Sequence, residues 1–129
     1  MKTPHVIALS MLAGIALGAT AIQGLHAQAK PPVYAIVDID EVTDPALNAT
    51  NTGRTNEAAA TVFKDTGGRF LVRTDKITAL DGTPPKRVII SVFESIEKAK
   101  TYYNSPEQMK VNDARMKSTK SRMFITEGL

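Results

Sequence analysis

The order of strand-like and helix-like segments constrains the fold of this chain more than any other feature of its sequence. Four short segments are rich in β-branched residues, too short for typical helices and bounded by turn or capping residues, so they are predicted to be strands. They span residues 31–42, 69–74, 86–93 and 122–128. Helical patterns lie between the first and second segments and between the third and fourth. The order strand, helix, strand, strand, helix, strand predicts an α+β fold of the ferredoxin-like, split β-α-β type, with a four-stranded antiparallel sheet.

Capping residues mark the starts of the predicted helices. Asp44 is a preferred N-cap and Pro45 a preferred first helical residue. The first helical region is expected to break near Gly53, because the surrounding NATNTGRTN is poor in helix-forming residues. Ser95 is predicted to cap a short helix, and Ser105 to cap the last one with Gln108 as its capping-box partner. A solvated helix face is predicted for most of the basic residues that follow: Lys110, Arg115, Lys117, Lys120 and Arg122.

Two adjacent glycines, Gly67 and Gly68, raise the question of a phosphate-binding loop. A dinucleotide fingerprint runs strand, glycine-rich turn, helix, and it places phosphates at the helix N-terminus. Here the glycines follow a predicted helix and precede a predicted strand. We therefore predict a turn in which Gly67 ends the helix in the left-handed conformation.

The first 29 residues have the three-part pattern of a secretory signal. Lys2 gives a cationic start, residues 6–22 are largely apolar, and Ala27-Gln28-Ala29 supplies small residues for cleavage. We expect an exported protein, periplasmic or extracellular, whose single domain spans residues 30–129. An uncleaved membrane anchor is the alternative, although the apolar run is shorter than the roughly 20 residues that span a bilayer. No later segment is apolar enough to cross a membrane.

The residues missing from this domain exclude whole classes of chemistry. Both histidines, His5 and His26, lie in the signal segment, and the chain has no cysteine. Zinc sites, cysteine or serine nucleophiles activated by histidine, disulfides and histidine-ligated haem are therefore excluded. Lys2 is the only charged residue before Lys30, so the domain keeps 15 of the 16 basic residues and all 13 acidic ones. This mild charge predicts no nucleic-acid partner, and we expect no cofactor.

The acidic segment DIDEVTD could indicate a calcium-binding loop. An EF-hand loop beginning at Asp38 would need glycine at its sixth position and glutamate at its twelfth, where this chain has Thr43 and Ala49. We predict no metal site there.

Alternation along the strands divides their side chains between two faces. The more apolar set is predicted to pack under the helices: Ala35, Val37, Ile39, Phe70, Val72, Val88, Ile90, Val92, Met123 and Ile125. The mixed set is predicted to form the second face: Tyr34, Ile36, Asp38, Asp40, Arg69, Leu71, Arg73, Arg87, Ile89, Ser91, Phe93, Arg122, Phe124 and Thr126. Its apolar members would expose several hundred Å², about the most that a monomer tolerates. We expect a second copy to cover this face around a two-fold axis.

A ligand site is predicted between the two sheets of such a homodimer. Its candidate residues are Tyr34, Asp38, Arg73, Arg87 and Ser91, which could hold a small anionic or aromatic molecule. In a first alternative, Asp38 forms only an ion pair with one of these arginines. In a second, the protein is a cofactor-independent oxygenase or isomerase, with Asp38 as base and Arg73 or Arg87 stabilising an oxyanion. A third alternative is a structural or stress-associated dimer without a ligand.

Five segments of the sequence resemble successive blocks of the domain of unknown function family 1330, within the dimeric α+β barrel superfamily. They are VYAIVDIDEVTDP, GGRFLVR, PPKRVIISVFES, AKTYYNSPE and SRMFITEG, and together they span nearly all of residues 33–128. The resemblance implies a ferredoxin-like protomer and a face-to-face dimer, but no established activity. Related families include cofactor-independent monooxygenases acting on polycyclic aromatic substrates, haem-degrading enzymes and proteins without known chemistry.

Some positions depart from the pattern of this family. Thr83 stands where an aromatic residue is usual, Tyr102-Tyr103 replaces the usual Trp-Tyr, and Gln108 occupies a position that is often tyrosine. The absence of histidine from the domain makes the haem-binding relatives poor models.

Overall fold

The computed structural model describes residues 30–50 and 56–129. The predicted signal segment and the predicted helix break near Gly53 lie outside these residues. Within the described ranges, no helix is both long and apolar enough to cross a membrane.

In residues 30–50 and 56–129, four strands and four helices follow the predicted order. They are β1 (Val33–Val42), α1 (Pro45–Thr50), α2 (Glu57–Asp65), β2 (Arg69–Thr74), β3 (Arg87–Phe93), α3 (Ile96–Tyr103), α4 (Pro106–Ser118) and β4 (Thr119–Glu127). The strands form one sheet in the order β2-β3-β1-β4, and every neighbouring pair is antiparallel. This topology confirms the predicted ferredoxin-like α+β fold.

Side-chain caps fix the ends of the helices. Oδ1 of Asp44 accepts a hydrogen bond from the Leu47 N–H (2.9 Å), which places Pro45 at the first helical position. Ser95 and Ser105 cap α3 and α4 as predicted. The capping-box role of Gln108 is wrong, because the Ser105 N–H donates to the Tyr102 carbonyl (3.1 Å) and Gln108 bonds elsewhere.

The two adjacent glycines form the predicted turn. Gly67 has φ 75°, in the left-handed region, and its N–H donates to the Lys64 carbonyl at 3.0 Å. The N–H of Gly68 donates to the Phe63 carbonyl at 2.8 Å. Helix α2 therefore ends in paired backbone hydrogen bonds, and β2 begins at Arg69.

The helix-covered face of the sheet matches the prediction for β1 and β4 but not for β3. Directly paired residues of antiparallel strands lie on the same face, and Ser91 pairs with Ala35. Ser91 and Phe93 are each 1% exposed, beneath the helices. The predicted face is therefore wrong for Arg87, Ile89, Ser91 and Phe93, and also for the outward-facing Val88, Ile90 and Val92.

A β-bulge changes the faces along β2. The pairing register shifts between Phe70 and Val72, so Phe70 pairs with Ser91 and Arg73 pairs with Ile89. Phe70 and Arg73 thus both lie on the helix-covered face. The predicted second-face position of Arg73 is wrong because a single irregular residue interrupts the alternation.

An aromatic cluster packs one end of the sheet against the helices. Phe63 on α2 lies edge-on to Phe93 (centroids 5.6 Å apart) and to Tyr102 (5.0 Å). Phe70 stacks on the same Phe63 ring at 4.4 Å. The rings of Phe63, Phe93 and Tyr102 form the buried core together with Val33, Ala35 and Ala99.

Candidate functional site

A cavity of about 90 Å³ lies between the helix-covered face of the sheet and the helices. One water needs roughly 10–15 Å³ by such a measure, so the cavity has room for a small molecule. The sheet contributes Val37, Ile39, Phe70, Arg73, Arg87, Ile89 and Met123. The helices contribute Asn48, Phe63, Tyr102, Tyr103, Gln108, Val111, Asn112, Arg115 and Ser118.

The sheet register places the cationic groups together. Ile39 on the central strand β1 pairs with Arg87 on one side and with Ser121 on the other. Arg115 of α4 donates from a terminal guanidinium nitrogen to the Ser121 hydroxyl. Arg73 belongs to the next same-face row of the sheet, about 7 Å along the strands. Arg87 and Arg115 therefore lie toward one end of the cavity, and Arg73 lies one row farther along the sheet.

Arg87 and Arg115 have no carboxylate partner in the described lining of the cavity. Among the residues that the structure describes, the buried Nε atoms of Arg87 and Arg115 have no hydrogen-bond partner. The described lining of the cavity contains no aspartate or glutamate. Burial lowers the pKa of Arg115, because its charged form is partly withdrawn from water. Arg73 lies over the Phe70 ring, with Cζ 4.7 Å from the centroid, in a cation–π contact.

A hydrogen-bonded chain of neutral side chains borders the same cavity. The Tyr102 hydroxyl donates to Oε1 of Gln108 at 2.6 Å, and Nε2 of Gln108 donates to Oδ1 of Asn112 at 3.2 Å. Burial raises the pKa of Tyr102 well above its ordinary value, so this phenol stays a neutral donor. Burial also raises the pKa of Tyr103, partly opposed by Ser91 and the charge of Arg115.

The five predicted site residues do not form one site. Tyr34 and Asp38 lie on the open face of the sheet, whereas Arg73, Arg87 and Ser91 lie on the helix-covered face. Of the five, only Arg73 and Arg87 line the cavity. The predicted cavity between two sheets is therefore wrong for these residues taken together, and ligand binding by either arginine stays a prediction.

Asp38 is held in an ion pair on the open face. Arg122 donates to both of its carboxylate oxygens, from Nε at 3.1 Å and from a terminal nitrogen at 2.9 Å. The predicted partners, Arg73 and Arg87, are on the other face. The hypothesis of Asp38 as base with one of those arginines at an oxyanion is thus contradicted by the geometry.

The acidic segment around Asp38 pairs with basic residues of β4. Glu41 pairs with Lys120 at 2.6 Å, and Asp40 lies 3.9 Å from Arg122. No group of three or more potential metal ligands was found in residues 30–50 and 56–129. Cross-strand ion pairs account for this segment.

The helix α4 supplies site residues that sequence reasoning missed. Arg115, predicted to be solvated, faces the cavity. The pattern that could have revealed it is a polar stripe at helical spacing: Gln108, Asn112, Arg115 and Ser118. Tyr102 was noted only as a departure from a family pattern, and Tyr103 was not assigned to the site.

Comparisons with known proteins agree with this fold. A family model described as "Domain of unknown function (DUF1330)" matches residues 32–129. A protein of unknown function from Rhodopseudomonas palustris is similar in structure, with a TM-score of 0.59 and 16% identity over 85% of this chain and 92% of its own. The cofactor-independent oxygenase SnoaB from Streptomyces nogalater gives a TM-score of 0.51 and 15% identity over 77% and 94%. A hypothetical Arabidopsis thaliana protein gives a TM-score of 0.53 and 16% identity over 78% of this chain and 91% of its own. The search of curated proteins found no match.

Proposed function

The chain belongs to the DUF1330 family of domains of unknown function. We propose that it binds a small organic anion in the cavity between its sheet and its helices. The observation that carries the proposal is the pair of arginines, Arg87 and Arg115, whose buried Nε atoms lack partners in the described part of the chain. Burying a cation without a counter-charge is costly. A carboxylate would supply both the missing charge and the missing acceptors.

The rest of the cavity favours an apolar body on that anion. Ile89 and Met123 line the sheet side next to the cationic end, and Phe70 lies farther along. A bare inorganic anion would leave these apolar walls unfilled. A short branched carboxylate matches both the charge and the volume of about 90 Å³.

An anionic probe and its neutral isostere test this function. We expect 3-methylbutanoate to bind at least about tenfold more tightly than 3-methylbutanamide at low salt, because only the carboxylate neutralises the arginines. An NMR titration of the labelled protein measures both affinities. Equal affinities, or no binding of either compound, would contradict the proposal and favour a dimer without a ligand.

The likeness to SnoaB shows the fold alone. The described cavity lining offers no carboxylate that could act as a base in the manner predicted for Asp38. Anion binding is therefore the function proposed.

We further propose that the open face of the sheet is the interface of a homodimer. This face carries the apolar side chains of Ile36, Val88, Ile90 and Val92, and Phe124 is 48% exposed. It is more apolar than the sequence analysis predicted, because the valines of β3 point outward. A second copy of the same face would cover it.

A charge placed on this face is expected to separate the protomers. Sedimentation of the natural sequence at micromolar concentration should give a dimer, whereas Ile90→Lys on the inner strand β3 should give a monomer, since each protomer would bury a lysine in an apolar interface. Thr61→Lys, on the exposed side of α2, is the matched control and should stay dimeric. A monomeric natural protein would refute the interface.

A further inference from the structure

Tyr102, Gln108 and Asn112 form a chain of hydrogen bonds in which each side chain donates to the next. Asn112, the last of the three, lines the cavity. The Tyr102 hydroxyl can donate to Gln108 only if Gln108 presents its carbonyl oxygen. Nε2 of Gln108 is then turned toward Asn112 and donates to its Oδ1. Two successive amides are thus oriented by one buried phenol.

The orientation of Asn112 leaves its amide nitrogen as the remaining hydrogen-bonding group. Its Oδ1 is occupied by Gln108, and no contact within the described residues engages Nδ2. Asn112 lines the cavity and lies three residues before Arg115, so the two side chains share one face of α4. A neutral N–H donor therefore stands next to the cationic end of the cavity.

We propose that Asn112 determines the specificity of this cavity and that the ligand is a 2-oxo acid. The carboxylate would bind at Arg87 and Arg115, and the adjacent ketone oxygen would accept a hydrogen bond from Nδ2 of Asn112. The inference rests on the proposed anion binding and adds a second, uncharged acceptor to the ligand. Tyr102 acts as a positioning residue that holds the amide in its donating orientation.

Removal of the Tyr102 hydroxyl would release this orientation. The Gln108 amide could then turn, Asn112 could donate to it, and Asn112 would present its carbonyl oxygen to the cavity. An oxygen lone pair facing a ketone oxygen is repulsive, so the preference for an oxo acid would fall. Binding of a simple carboxylate would not depend on this amide.

The test compares 3-methyl-2-oxobutanoate with 3-methylbutanoate, which share charge and carbon skeleton and differ in one carbonyl group. The natural protein should bind the oxo acid roughly 5-fold to 10-fold more tightly, since one hydrogen bond to a site group is gained. Asn112→Leu, of similar size, should bring the ratio to about 1. Tyr102→Phe should lower this ratio several-fold, and the ratio rather than either affinity alone is the readout.

The outcomes distinguish failure of the oxo-acid assignment from failure of anion binding itself. Equal affinities of both acids for the natural protein would overturn the oxo-acid assignment and leave anion binding intact. Failure of both acids to bind would overturn both. If Asn112→Leu binds 3-methylbutanoate but keeps the preference for the oxo acid, Asn112 is not the donor. If Tyr102→Phe keeps the full preference, the positioning role is wrong. This variant loses a single hydroxyl group, so it tests that role even if Asn112→Leu does not fold.

Discussion

Arg87→Gln is expected to weaken the binding of 3-methylbutanoate by about 30-fold or more and to stabilise the protein when no ligand is present. The loss follows because removal of one partner from a buried charge interaction costs about 2 kcal/mol or more. The gain in stability without ligand follows because Arg87 has a buried Nε without a partner among the described residues, and glutamine removes the charge. We expect the free energy of unfolding to rise by about 1 kcal/mol.

Arg69→Gln is the matched control for this experiment. Arg69 begins the neighbouring strand β2, is exposed and does not line the cavity. Calorimetric titration should show almost no change in ligand affinity for it. If Arg87→Gln weakens binding no more than Arg69→Gln does, Arg87 is not part of the anion site.

Phe93→Ala is expected to lower the free energy of unfolding by about 3–5 kcal/mol. Phe93 is 1% exposed and packs between Phe63 and the rings of Tyr102 (5.9 Å) and Tyr103 (6.1 Å). Truncation would leave a cavity that these rings cannot fill without leaving their rotamers. Denaturant unfolding at one fixed protein concentration measures the loss, because the proposed dimer would make stability concentration-dependent.

Phe70→Ala gives the comparison for the aromatic cluster. Phe70 touches the same Phe63 ring but is 44% exposed, so its loss should be less than half as large. If Phe93 lay on the outer face, as alternation predicts, the two substitutions would have similar effects. That result would contradict the register found for β3.

The order of elements and the helix caps could be predicted because they depend on local features. Residues near Asp44, Gly67 and Ser105 determine turn and cap geometry within a few positions. The strand segments were visible for the same reason, since β-branched composition and bounding turn residues are local. The topology then follows from their order.

The faces of β2 and β3 could not be predicted because they depend on contacts distant in sequence. In β3 the set with Val88, Ile90 and Val92 is more apolar than the set with Arg87 and Ser91, so hydrophobicity alone selects the wrong core face. The helices here cover a cavity that is lined partly by arginine, whereas the apolar face of β3 is not covered by them. In β2 a bulge reverses the alternation, and no single residue type in this strand predicts it.

The candidate site was only half predicted for the same reason. Arg73 and Arg87 were recognised as charges inside apolar strands, which is a local anomaly. Arg115 and Asn112 lie on a helix rich in charged residues, where a cavity-facing side chain resembles a solvated one. Only the packing of α4 against the sheet distinguishes them.

The central claim, that Arg87 and Arg115 bind an organic anion, is tested most directly by NMR of the arginine Nε–H groups. Titration with 3-methylbutanoate should shift the Nε–H resonances of both residues as the carboxylate accepts from them. The Nε–H of Arg122, already bonded to Asp38 on the open face, should stay unchanged. Unmoved signals of Arg87 and Arg115 at millimolar ligand, or equal shifts at Arg122, would contradict the account.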